Sequence, residues 1–178
     1  MRVITGSARG MTLKTLEGLN TRPTTEKVKE AVFSAIQFEI EGRRVLDLFA
    51  GSGQMGIEAM SRGALTAVFV DRDKGAVKII KENLEKTGFD KMCSVVQTDY
   101  LSFLRMNTQT FDLVFLDPPY DTDMLGKALD NVSDFVPEGG TVICEHSADT
   151  FLPDELNGFS KYRAYKYGKT SVTIFRKD

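Results

Sequence analysis

Asp117-Pro118-Pro119-Tyr120 is the segment of this 178-residue chain whose chemistry is most definite. Two consecutive prolines fix φ and remove two backbone donors, leaving carbonyl oxygens and the Asp117 carboxylate as a rigid acceptor-only surface beside an aromatic ring. Such a surface fits a planar base with an exocyclic amine, which donates to Asp117 and to the Pro118 carbonyl while Tyr120 stacks on the ring. An exocyclic amine is a poor nucleophile because its lone pair is delocalised. Two acceptors on its hydrogens favour a pyramidal nitrogen, aim the lone pair at an electrophilic methyl carbon and stabilise the positive charge of an in-line displacement. The proton can leave after transfer, so Asp117 need not be a strong general base, and neither a metal nor a covalent enzyme intermediate is required. Taken alone, the segment also reads as a strand stopped by Pro-Pro with a surface tyrosine.

A second segment, Gly51-Ser52-Gly53-Gln54-Met55-Gly56, satisfies G-x-G-x-x-G between a predicted strand and a predicted helix. Glycines there let the backbone turn tightly, approach a ligand and pack helix against strand. Asp71 follows Gly51 by twenty positions, where a carboxylate can accept hydrogen bonds from ribose hydroxyls. The candidate cofactor contacts are therefore Asp47, Phe49, Ala50, Gly51, Ser52, Gly53, Gly56, Asp71 and Arg72. A dinucleotide brings an anionic pyrophosphate, whereas S-adenosylmethionine brings a sulfonium and an ammonium with one carboxylate. Asp47, Asp71, Asp99 and Asp117 all fall at the carboxyl edge of the predicted sheet, and four carboxylates suit the cationic ligand. Asp99 and Tyr100 can meet the adenine edge of such a cofactor, although Asp99 reads equally well as a helix N-cap. Glu145 and the lone histidine, His146, end the fifth strand and read as structural rather than catalytic.

These residues need a frame. Strand-like runs over 43–49, 66–71, 92–97, 111–117 and 139–146 alternate with helical patterns over 54–62, 74–87, 100–106 and 124–136, the pattern of a parallel sheet wound with crossover helices. Val77, Ile80 and Leu84 form the apolar stripe of the second of these helices, and Gly88 closes it as a C-cap. Residues 159–167 and 171–175, joined through Gly168-Lys169, read as an antiparallel hairpin. At the other end, residues 2–5 and 11–16 flank Gly6 and Gly10 and read as a small separate hairpin. A helix is predicted over 25–40, with Thr24 or Thr25 as N-cap and Val28, Ala31, Val32, Ala35, Ile36 and Ile40 on one face. The fold class is thus α/β: a mostly parallel seven-stranded sheet, a C-terminal antiparallel hairpin, and an N-terminal hairpin and helix. One globular unit over 25–178 with a basic extension over 1–24 is expected.

Composition agrees with a single well-buried core: 42% of residues are hydrophobic and 27% charged. No apolar run exceeds four residues, so a membrane span and a signal peptide are not expected and the chain reads as cytoplasmic. Cys93 and Cys144 have no partner at metal-ligand spacing and read as buried packing thiols. The net charge of -2 conceals its distribution: residues 1–29 carry +4, residues 161–178 carry +5 and the middle carries -11. An acidic centre lies between two basic ends.

The chain resembles the RsmD-type methyltransferases, which modify the exocyclic N2 of a guanine in small-subunit (16S) ribosomal RNA. The resemblance rests on Arg2-Val3-Ile4-Thr5-Gly6 with Ala8-Arg9-Gly10, Thr21-Arg22-Pro23-Thr24, residues 46–59 with Ser61-Arg62-Gly63-Ala64, Asp117 to Tyr120, and Tyr167-Gly168-Lys169-Thr170. Gln54-Met55 and Met11 depart from that family's pattern. The resemblance implies a Rossmann-like class I S-adenosylmethionine-dependent fold. It implies that the glycine loop, Asp71 and Asp99 hold S-adenosylmethionine and that Asp117, Pro118, Pro119 and Tyr120 hold the guanine. Arg2, Arg9, Arg22, Thr24 and Lys169 would contact RNA. The implied partner is ribosomal RNA or a small-subunit particle; no membrane and no metal are expected, and the sequence does not fix the oligomeric state, a monomer being favoured. An adenine-N6 methyltransferase on DNA or RNA fits the same acceptor pair. The glycine loop taken alone also fits a nucleotide-dependent oxidoreductase, and the fold without its chemistry would fit a non-catalytic RNA-binding assembly factor.

Overall fold

The computed structural model describes residues 1–16, 26–120 and 123–178, which build one eight-stranded sheet with helices on both faces. The strands are β1 Arg44–Asp47, β2 Thr66–Asp71, β3 Cys93–Gln97, β4 Leu113–Leu116, β5 Thr141–Ser147, β6 Glu155–Leu156, β7 Phe159–Tyr167 and β8 Thr170–Lys177. The helices are α1 Glu26–Ala35, α2 Gln54–Ser61, α3 Lys74–Thr87, α4 Tyr100–Met106 and α5 Met124–Val132. The order across the sheet is β3-β2-β1-β4-β5-β8-β7-β6, with β1 to β5 parallel and β8 antiparallel to β5. The expected seven strands become eight because the two-residue β6 pairs with the start of β7.

Alternation along the strands divides the core. Val45, Phe69, Leu113 and Phe115 face one layer with Val32 and Phe33 of α1, Ile57 of α2 and Ile80 of α3. Their neighbours Leu46, Val68, Val114 and Leu116 face the other, with Leu104 of α4 and Leu129 of α5. Both faces are covered, which is why these strands read as continuous apolar runs. In α3, Asp73 accepts from the Ala76 N–H at 2.7 Å, and Gly88 ends the helix at φ 78°, the left-handed conformation expected of its C-cap. Cys144 is buried, whereas Cys93 is only half-buried, and burial pushes the Cys93 thiol up to about 11.

Three further expectations change. The helix predicted over 25–40 ends at Ala35, and the chain then turns so that Ile40 still reaches the core while Glu39 reaches the Thr141 hydroxyl at 3.0 Å and Arg176. Its expected N-cap, Thr24 or Thr25, lies outside the described residues. The helix predicted over 124–136 is α-helical only to Val132, with a 3-10 turn over Ser133–Phe135. The N-terminal hairpin is reduced to one antiparallel bridge, Arg2 with Thr12. Val3 N–H still donates to Met11, Gly10 N–H to Val3 and Leu13 N–H to Met1 across it, but Ile4 and Thr5 N–H donate to the Glu58 carboxylate at 2.8 and 3.0 Å, and Ser7 N–H to the Ser61 carbonyl at 2.8 Å. Val3, Ala8 and Leu13 enter the same apolar layer as α1. Among the described residues, no helix is long and apolar enough to cross a membrane.

Candidate active site

β1 and β4 are neighbours, with Asp47 beside Phe115, although two strands and three α-helices separate them in sequence. The chain winds outward one way through β2 and β3 and the other way through β5, so the loops after β1 and β4 leave the same edge side by side. Open α/β sheets bind ligands in this crevice. The glycine loop and the Asp117 to Tyr120 segment are the two loops concerned.

Two carboxylates brace the glycine loop from below. Asp47 accepts from the Gly56 N–H at 3.1 Å, and Asp71 accepts from Gly51 N–H at 2.8 Å and Asp73 N–H at 2.9 Å. The loop glycines divide their roles. A Cβ on Gly56 would lie 2.3 Å from the Phe69 ring, so this glycine allows α2 to pack on β2, whereas Gly51, at φ 55°, has open space where its Cβ would stand. Phe49 and Tyr100 rings lie 5.2 Å apart and tilted by 42°.

A cavity of ≈ 1380 Å³ runs between the two loops. Of the residues expected at the site, it is lined by Asp47, Phe49, Ala50, Gly51, Ser52, Asp71, Arg72, Asp99, Tyr100, Asp117, Pro118, Pro119, Tyr120 and Lys169. Gly53 and Gly56 stand behind the wall rather than on it. Arg2 and Arg9 are exposed and do not line the cavity, Arg2 being paired with Glu26 at 3.2 Å. Arg22 and Thr24 lie outside the described residues. Among the described residues, seven carboxyl groups line the cavity against two cations, Arg72 and Lys169, a balance that favours a cationic ligand and disfavours a pyrophosphate. Gln54 lines the same wall, and its Oε1 is buried without a hydrogen-bond partner among the described residues. These features fit S-adenosylmethionine. No cluster of metal-ligating side chains occurs among the described residues.

Burial, reinforced by the negative charges of Glu145 and Asp47, raises the Asp117 carboxyl well above the usual carboxylate range. Burial likewise pushes Asp47 up to about 7, against the Gly56 hydrogen bond. Asp99 behaves oppositely: it caps α4 by accepting from Ser102 N–H at 3.0 Å, and hydrogen bonding to Ser102 lowers it. Its capping and its place on the cavity wall coexist. Tyr120 donates to Glu145 Oε1 at 2.8 Å and lies 3.1 Å from Thr170 Oγ1. His146 has both ring nitrogens engaged, with the Ser147 carbonyl and the Thr173 hydroxyl at 2.9 Å each, in keeping with a structural role.

Several site residues escaped sequence reasoning. Thr15 and Leu16 bring the N-terminal segment onto the cavity wall. Asn83, fully buried in α3, donates to the Lys14 and Ser52 carbonyls at 3.0 Å each and accepts from Lys14 N–H at 2.8 Å. It couples that segment to the glycine loop. Its signal was available: an amide among the apolar stripe of Val77, Ile80 and Leu84 must find partners. Glu145, expected to be structural, lines the cavity and accepts from Tyr120, and Thr170 meets the same phenol; both contacts depend on strand order.

The family model described as "Conserved hypothetical protein 95" matches residues 1–176. The "Putative rRNA methyltransferase YlbH" of Bacillus subtilis is 40% identical, with 99% of each chain covered. The "Ribosomal RNA small subunit methyltransferase D" of Haemophilus influenzae is 31% identical, with 93% of each covered. Among solved structures, "Putative methyltransferase yhhF from Escherichia coli" superposes with a TM-score of 0.88 at 27% identity, covering 100% of this chain and 98% of that one. With its doubly wound sheet, its paired loops at the switch point and this match over nearly its whole length, the chain belongs to the RsmD family.

Proposed function

We propose that this protein transfers a methyl group from S-adenosylmethionine to the exocyclic N2 amine of a guanine in small-subunit ribosomal RNA. The observation that carries the reading is the sharing of one acid-lined cavity by the glycine loop and the Asp117 to Tyr120 segment. S-adenosylmethionine supplies an electrophilic methyl group on a sulfonium. Asp71 can receive the ribose hydroxyls, since each of its oxygens keeps a lone pair beyond its backbone bond. Phe49 and Tyr100 offer ring faces to the adenine. Asp117 and the Pro118 carbonyl accept the amine hydrogens, and Tyr120 stacks on the base. Guanine presents two adjacent donors, N1–H and the N2 amine, whereas adenine alternates donor and acceptor. An all-acceptor wall suits guanine better. Asp117, raised by burial, then takes the proton shed after transfer more readily than an ordinary carboxylate. Arg9 and Lys169, exposed or at the cavity mouth, would contact RNA phosphates, with Arg2, Arg22 and Thr24 in the same role. The relatives' names, which specify ribosomal RNA and, for one of them, its small subunit, support this substrate class.

Calorimetric titration of the purified protein tests the donor. S-adenosylmethionine should bind at a single site and NAD should not. Tight NAD binding without S-adenosylmethionine binding would favour an oxidoreductase.

A further inference from the structure

Two residues from different strands hold Tyr120 at its far end. A phenol has one proton, and Tyr120 commits it to Glu145 Oε1 at 2.8 Å. The Thr170 hydroxyl, 3.1 Å away, must then donate to the phenol oxygen, so the bonds run in one direction, from Thr170 through Tyr120 to Glu145. Sheet order makes this possible. Glu145 lies in β5, and Thr170 opens β8 opposite Ser147, so the antiparallel hairpin delivers a hydroxyl two positions beyond Glu145. Glu145 and Thr170 are both buried, at 9% and 6% exposure, and Glu145 lines the cavity with Tyr120 and Asp117. The tether fixes the direction of the ring axis. Because a phenol's O–H and lone pair lie near the ring plane, two partners also select that plane.

We propose that Glu145 and Thr170 are positioning residues for methyl transfer, which set the Tyr120 ring against the target base and thereby align the amine with Asp117. This rests on the reading of Tyr120 as the base-stacking residue. It also gives the C-terminal hairpin a role beyond closing the sheet.

The test compares Tyr120→Phe, Glu145→Ala, Glu145→Gln, Thr170→Val and the double variant Tyr120→Phe/Glu145→Ala with the wild-type protein. Single-turnover methyl transfer is measured on small ribosomal subunits from a strain lacking the enzyme, with S-adenosylmethionine affinity by calorimetry and folding by thermal melting. Tyr120→Phe and Glu145→Ala should each slow transfer by about 10- to 100-fold, the loss expected for a misplaced base, while cofactor affinity stays within about twofold. Thr170→Val should cost less, and Glu145→Gln, whose amide oxygen still accepts, should recover most of the rate. The double variant should be no slower than the slower single one, because both remove the same tether. Wild-type transfer in Tyr120→Phe, or losses that multiply in the double variant, would overturn the proposal. An inactive wild-type protein that binds S-adenosylmethionine would instead contradict the functional reading on which it rests, and the proposal with it.

Discussion

Asp117 accepts most strongly from the base, and can take its proton, when ionised, yet its surroundings favour the proton: burial and the charges of Glu145 and Asp47 all raise it. Asp47 is in the same position, pushed up to about 7 by burial and by Asp71. Such carboxyls make the cavity wall costly without a ligand and a cationic ligand welcome. The cost has a definite sign. A carboxyl whose folded-state pKa exceeds its unfolded value of 3.8 binds its proton more tightly when folded, so its contribution to stability is lost as pH rises from about 4 to about 7. Asp47→Asn, whose amide oxygen can still accept from Gly56, should remove that loss. Thermal melts of the ligand-free protein should show the variant gaining on the wild type as pH rises through this window and levelling off above it. A constant difference across the window would mean that Asp47 titrates normally.

At the scale of elements, α2 does more than follow the glycine loop. Its Glu58 carboxylate is wholly buried, accepts from Ile4 and Thr5 N–H, and pairs with Arg62 at 2.9 Å and with the buried Lys29 ammonium at 3.3 Å. Lys29 in turn donates to the Arg2 carbonyl at 2.7 Å. The N-terminal segment is therefore fastened to the helix that presents the glycine loop. Glu58→Ala leaves the Lys29 ammonium buried without its counter-charge, and should destabilise the protein by about 3–5 kcal/mol in urea unfolding. A loss below about 1 kcal/mol would show that segment to be peripheral to the fold. None of this was legible in the sequence. The α3 stripe, the strands buried on both faces and the G-x-G-x-x-G turn each declare themselves within a few neighbouring residues. Lys29, by contrast, stood beside a predicted apolar face with its partner 29 positions away on another element. The early end of α1 and the reduced N-terminal hairpin have the same origin: Glu39 and the backbone of residues 4–7 find tertiary partners that periodicity does not register. Asp117 to Tyr120 and the glycine loop were legible as chemistry, while Tyr120's tether needed the order β5-β8 to be known.

At the scale of the whole molecule, a net charge of -2 divides into an acidic cavity and two basic ends. Both ends reach that cavity, the first through Thr15 and Leu16 and the second through Lys169 at the tip of the hairpin between β7 and β8. A cationic donor held by the centre and an anionic acceptor guided by the ends would meet where Asp117 stands. The most direct test incubates the wild-type protein and Asp117→Ala with labelled S-adenosylmethionine and unmethylated small ribosomal subunits, and identifies the labelled nucleoside by mass spectrometry. N2-methylguanosine is expected from the wild type, and retained cofactor binding with at least ~100-fold less product from the variant. N6-methyladenosine, or near-normal turnover by Asp117→Ala, would contradict the proposed chemistry.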